Sequence, residues 1–137
     1  MPEDYILRLI EQISIMLAEL ARMKAAEKPA YISALSLRET GLPFDLVKHS
    51  SPDTILQLLE SGGGTQYTRA VVLAELLLQD ADLSRTAGKD RDAAISRAQA
   101  HALLAHSIDH LSSEEQAVYR PKLEAMSAEL KRVVPES

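Results

Sequence analysis

Two helical patterns run back to back between Thr68 and Leu111, joined only by the turn Thr86-Ala87-Gly88-Lys89-Asp90. Such a hairpin constrains the fold strongly, because two antiparallel helices with apolar faces need neighbours to cover them. Its first helix spans about Gln66 to Ala87. With successive residues at about 100°, only Glu75, Gln79, Asp82 and Thr86 make a narrow polar stripe. The rest of the circumference is largely Val71, Val72, Leu73, Leu76, Leu77, Leu78, Ala81 and Leu83. A helix this apolar is packed on more than one side, and is the predicted centre of the molecule. The second helix, Asp90 to about His110, turns Ala93, Ala94, Ala100, Leu104, Ala105, Ile108 and Leu111 inward, and the alanines among them permit close approach.

Other elements should supply the cover. A helix over residues 4–27 carries a seam of Ile6, Leu9, Ile13, Met16, Leu20 and Met23, widened by Ile10 and Leu17. Glu3 and Asp4 suit its positive end, and Arg22 and Lys24 its negative end. Pro29 opens a second helix bearing Ala30, Tyr31, Ala34, Leu35 and Leu37, which Gly41 stops. Leu42 to Val47 reads as a compact apolar connector or a single helical turn. Ser51 then caps, and Pro52 starts, a short helix to Glu60 with Ile55, Leu58 and Leu59 inward.

Ser61-Gly62-Gly63-Gly64 reads as a loop within one domain. Ser112 and Glu115 have the spacing of a capping box for a last helix over 113–134, with Tyr119, Leu123, Met126, Leu130 and Val133 on one face. Pro121 should kink that helix or mark its real start, and the tail Pro135-Glu136-Ser137 should fray. The expectation is one all-α domain over residues 1–137, a bundle of about five to six helices built around antiparallel hairpins.

Composition narrows the partners. With 4% aromatic residues and no Trp, the core must be aliphatic, which suits helix-on-helix packing. A net charge of −5, with Lys and Arg scattered, lacks the footprint of a nucleic-acid or anionic-membrane binder. The absence of cysteine excludes disulfides, thiol catalysis and Cys-ligated metals. Met1-Pro2-Glu3-Asp4 is acidic where a signal peptide would be basic, and the apolar run Val71 to Leu78 is broken by Glu75 and too short for a bilayer. A cytoplasmic protein is expected.

The hairpin resembles a tetratricopeptide-type unit. With Gly88 as its turn glycine, Ala81 falls on the small position of the first helix, and Ala93 and Ala100 on those of the second. Leu77, Ser84 and Arg97 stand where that repeat usually has aromatic residues. The whole chain is similar to a family of small bacterial helical proteins of unknown function. That likeness rests on Asp4 to Gln12, on Ser51-Pro52-Asp53 leading to Leu58-Leu59-Glu60-Ser61-Gly62-Gly63, and on Arg120-Pro121-Lys122-Leu123-Glu124. It implies an all-helical, tetratricopeptide-like fold; that family carries no assigned activity or catalytic residues, so nothing functional carries over from it.

Few side chains carry chemistry. His106 and His110 are spaced to share a helix face and could bring two imidazoles to one metal, although the plainer reading is solvated surface histidines. His101, at the edge of the apolar face, reads as packed core, and His49 has no evident partner. Two inward charges matter more. Asp80 on the first hairpin helix and Arg97 on the second need an opposite charge or water, so an interhelical Asp80–Arg97 contact is expected, with Ser84 as accessory. Gly62-Gly63-Gly64 lacks the strand and the Gly-Lys-Ser/Thr of a phosphate loop. Ser33, Ser36 and Ser96 lack a His–carboxylate pattern.

Two functions follow. The leading one is a non-catalytic protein–protein interaction or self-association module, with a protein partner or a second copy in a homodimer, and no cofactor. The alternative is a small-ligand or metal-binding protein with a pocket between the hairpin and the first helix, lined by Asp80, Arg97 and His101.

Overall fold

A computed structural model describes residues 2–60 and 66–133, with side chains described for 11–60 and 66–131. In chain order it contains α1 (Pro2–Arg22), α2 (Lys28–Thr40), α3 (Phe44–His49), α4 (Pro52–Glu60), α5 (Gln66–Thr86), α6 (Asp90–Ser107), a 3-10 helix (Ile108–His110) and α7 (Ser113–Val133). Among the described residues there is no strand, so the fold is all-α. The glycine loop at 61–64, the tail 135–137 and the side chains of Ile6, Leu9, Ile10 and Val133 lie outside the described residues.

The apolar middle of α5 decides the arrangement. Every residue from Ala70 to Leu77 is buried, so α5 is enclosed on all sides over two turns. Its most extensive partner is α6, and α2, α4 and α1 also pack on it. The hairpin turn closes with a helix C-cap: Gly88 has φ +80°, its N–H donates to Arg85 O at 3.0 Å, and Lys89 N–H donates to Ser84 O at 2.7 Å. Gly41 ends α2 in the same left-handed conformation, at φ +78°.

Of the outer helices, α1 buries residues its spacing offered, Ile13, Met16 and Leu20, but α2 buries Leu35 together with Ile32, which was not expected, and leaves Ala30, Ala34 and Leu37 exposed. Ser51 Oγ accepts the N–H of Thr54 at 3.2 Å ahead of Pro52, the expected cap of α4. Ile55 and Leu59 of α4 are buried, whereas Leu58, expected inward, is 40% exposed. The Ser112–Glu115 box is formed reciprocally, with Ser112 N–H on Glu115 Oε1 at 3.0 Å and Glu115 N–H on Ser112 Oγ at 3.2 Å.

Three boundaries differ from expectation. The connector is itself a helix, α3, because Phe44 and Val47 are one turn apart and both buried; this takes the count among described residues to seven. Its terminal carbonyls are satisfied from α6, where Gln99 Nε2 donates to Val47 O at 2.9 Å and to Ser50 O at 2.5 Å. α1 stops at Arg22, since Ala25, Ala26 and Glu27 are exposed and belong to the turn that reverses into α2. α6 stops at Ser107, and the tighter 3-10 turn brings Ile108 and Leu111 into the core. α7 starts at its capping box and runs through Pro121, which lies on the exposed side, so this proline does not mark the start.

Candidate functional site

The charged interior of the hairpin divides between two flanks. Asp80 faces α3 and α6: Ser96 Oγ donates to its Oδ2 at 2.7 Å, and Lys48 Nζ lies 3.1 Å from the same oxygen. Arg97 faces the α7 side, with Nη2 at 3.8 Å from Asp82 Oδ1. The expected Asp80–Arg97 contact is therefore not formed. Ser96 and Arg97 are about 100° apart on α6, and it is Ser96 that meets Asp80. The accessory hydroxyl is that of Ser96, fully buried, and not that of Ser84.

Ser96 could have been found, since it falls on the same stripe as Ala93 and Ala100. Lys48 could not, because nothing local to the connector points it at α5.

Asp80, Arg97 and His101 do not line one pocket. Asp80 borders a shallow cavity of about 530 Å³ with Lys48, Ser84 and Pro29. Arg97 borders a cleft of about 410 Å³ between α5, α6 and α7, with Leu78, Asp82, Lys122, Met126 and Leu130. His101 sits further along the α6–α7 seam, its Nε2 2.7 Å from Ser127 Oγ, a half-buried side chain satisfied by a hydroxyl.

The other histidines part company where α6 ends. His106 Nδ1 is 2.7 Å from Ala102 O in its own helix, and its Nε2 is 3.9 Å from Asp53 Oδ1. His110, beyond the 3-10 turn, stacks on Tyr67 with ring centroids 4.0 Å apart and planes within 4°. The change of helix type between them rotates His110 away from the face His106 occupies. Among the described residues, no three or more of His, Asp and Glu are grouped to hold a metal.

The α7 side also holds a charge that the spacing misplaced. Glu75, expected on the polar stripe, is 5% exposed and accepts a hydrogen bond from Lys122 Nζ on α7. Tyr119, one turn earlier on α7, is buried next to it. Burial holds its phenol well above the ordinary range, and the carboxylates of Glu75 and then Glu115 push it the same way. Glu115 uses Oε1 in the capping box, while its buried Oε2 has no hydrogen-bond partner among the described residues.

A different kind of surface lies on α1 and α2, which are tied together by Gln12 Nε2 donating to Glu39 Oε2 at 2.5 Å and by the Tyr31 hydroxyl donating to Glu19. Their outward positions carry small exposed residues: Ser14 and Ala18 on α1, and Ala30, Ser33 and Ala34 on α2. Among these stand Ile15 and Leu37, 54% and 53% exposed. Comparison of the chain with family models, curated proteins and solved structures finds no match.

Proposed function

We propose that this chain is a non-catalytic interaction module that self-associates through the outward face of α1 and α2. The observation that carries the reading is the pair Ile15 and Leu37, each more than half exposed on neighbouring helices, beside the small residues Ala18 and Ala34 and the charged Glu11, Glu19 and Arg38. Water gains when such side chains are covered, at about 25 cal/mol per Å² of apolar surface. The patch holds both bulky side chains and the shallow places beside Ala18, Ala30 and Ala34, so one two-fold axis can set each copy's projections against the other's hollows. Charges of both signs stand within it, Glu11 and Glu19 one turn either side of Ile15 and Arg38 next to Leu37, which suits the same operation.

The assigned occupant is therefore a second copy of the chain. A location in the cytoplasm, and the kinship to small bacterial helical proteins with a tetratricopeptide-like hairpin, belong to the same proposal. No helix among the described residues is long and apolar enough to cross a membrane. A small-ligand role is favoured by one separate observation, the cleft over Arg97.

Sedimentation velocity over a wide concentration range tests the module. Wild-type chain should sediment as a dimer in equilibrium with monomer. The double substitution Ile15→Lys with Leu37→Lys should leave monomer only, with helicity unchanged because both side chains already face water. A wild-type monomer throughout, indistinguishable from the double variant, would remove the proposal.

A further inference from the structure

Arg97 has more hydrogen-bonding capacity than it uses. Its side chain is 15% exposed, and its one polar contact among the described residues is Asp82 Oδ1 at 3.8 Å, longer than a hydrogen bond. Asp82 is itself 59% exposed and lies 3.6 Å from Arg85, so its carboxylate is shared. A guanidinium offers five N–H donors in a planar fork, and taking them out of water without acceptors is unfavourable. Lys122, in the same cleft, is differently placed, because the buried carboxylate of Glu75 already takes its charge.

We propose that this cleft binds a small monocarboxylate with an aliphatic body. Arg97 receives the carboxylate as a two-pronged pair, and Leu78, Met126 and Leu130 cover the hydrocarbon. The charge balance disfavours a second negative charge on the ligand. Arg85, Arg97 and Lys122 are matched by Asp82, Glu129 and Glu75, so the walls are neutral before a ligand enters. A doubly charged phosphate would be held against Asp82 and Glu129. A single carboxylate takes the place of Asp82 at Arg97 and leaves Asp82 to Arg85. The volume of about 410 Å³ is at the small end of ligand clefts, enough for a chain of several carbons and too little for a partner helix.

The test is titration of the full chain with octanoate, octan-1-ol and octyl phosphate, following the Arg97 Nε–Hε and Met126 methyl resonances. Octanoate should shift both and saturate. Octan-1-ol should bind about tenfold or more weakly, the weight of a hydrogen bond to a charged group, and octyl phosphate should also bind less well. Arg97→Gln should lose a similar factor. Asp82→Asn keeps the guanidinium and removes its competitor, so it should tighten octanoate binding, and it decides the matter should Arg97→Gln fail to fold.

Equal binding of the alcohol, tighter binding of the phosphate, no saturable shift with octanoate, or weaker binding by Asp82→Asn would each overturn the assignment. Self-association is a separate property. Ile15→Lys with Leu37→Lys should abolish it and leave octanoate binding intact.

Discussion

Glu75 keeps a charge in the most apolar stretch of the chain because Lys122 reaches it from α7. Removing the lysine leaves a carboxylate with neither partner nor water. Lys122→Ala is expected to lower the unfolding free energy by about 1–3 kcal/mol, read from urea denaturation, while Lys122→Arg keeps most of it; equal loss in both would mean that packing, and not charge, is what the lysine supplies.

Tyr119 beside it adds a pH dependence. Its phenol is raised in the folded state by burial first, and then by Glu75 and Glu115, so folding favours the protonated form. That contribution is complete below the ordinary phenol value of about 10 and is lost as pH rises through it towards the folded value. Denaturation midpoints should fall above about pH 10, and Tyr119→Phe should flatten that fall; an unchanged slope would assign the alkaline loss to other groups. The periodicity of α5 put Glu75 in a polar stripe with Asp82 and Thr86, and those two are indeed exposed. It failed at Glu75 because the residue that covers and neutralises it is 47 positions away.

At the scale of the helices, local chemistry was legible and tertiary chemistry was not. The αL glycines at 41 and 88, the Ser51 cap and the Ser112–Glu115 box each satisfy backbone groups within a few residues, so sequence alone located them. Ser112→Ala should therefore lower stability by about 1 kcal/mol, as measured by chemical denaturation, with the loss confined to the start of α7 in hydrogen exchange; protection lost evenly along the chain would contradict a local cap.

Ends without such a cap were misjudged. α6 gives way to a 3-10 turn because Ile108 and Leu111 must both reach the core, and the carbonyls at the end of α3 are bound by Gln99 from 49 and 52 positions away. The same limit explains the site. Which of Ser96 and Arg97 meets Asp80 depends on how α6 is rotated against α5, and that rotation is set by the alanines packed between them.

The molecule is organised around α5, with α6 along it, α7 joined to the pair through Lys122 and Tyr119, and α1 and α2 presenting Ile15 and Leu37 outward. The apolar excess visible in the sequence is mostly absorbed by α5, as its unbroken burial from Ala70 to Leu77 records. Among the described residues, the two most exposed of the large apolar side chains left outside are Ile15 on α1 and Leu37 on α2, with Leu46, Leu58, Ile95 and Val118 one each on α3, α4, α6 and α7. The chain has no cysteine, so a single introduced thiol reports geometry without interference. Ala34 is exposed on α2, one turn before Leu37, and Ala117 is exposed on α7. The most direct measurement is disulfide trapping of Ala34→Cys and Ala117→Cys under mild oxidation at equal concentration. Self-association through α1 and α2 predicts a covalent dimer from Ala34→Cys, abolished by adding Ile15→Lys, and little from Ala117→Cys. Equal trapping at both positions, or none at position 34, would contradict it.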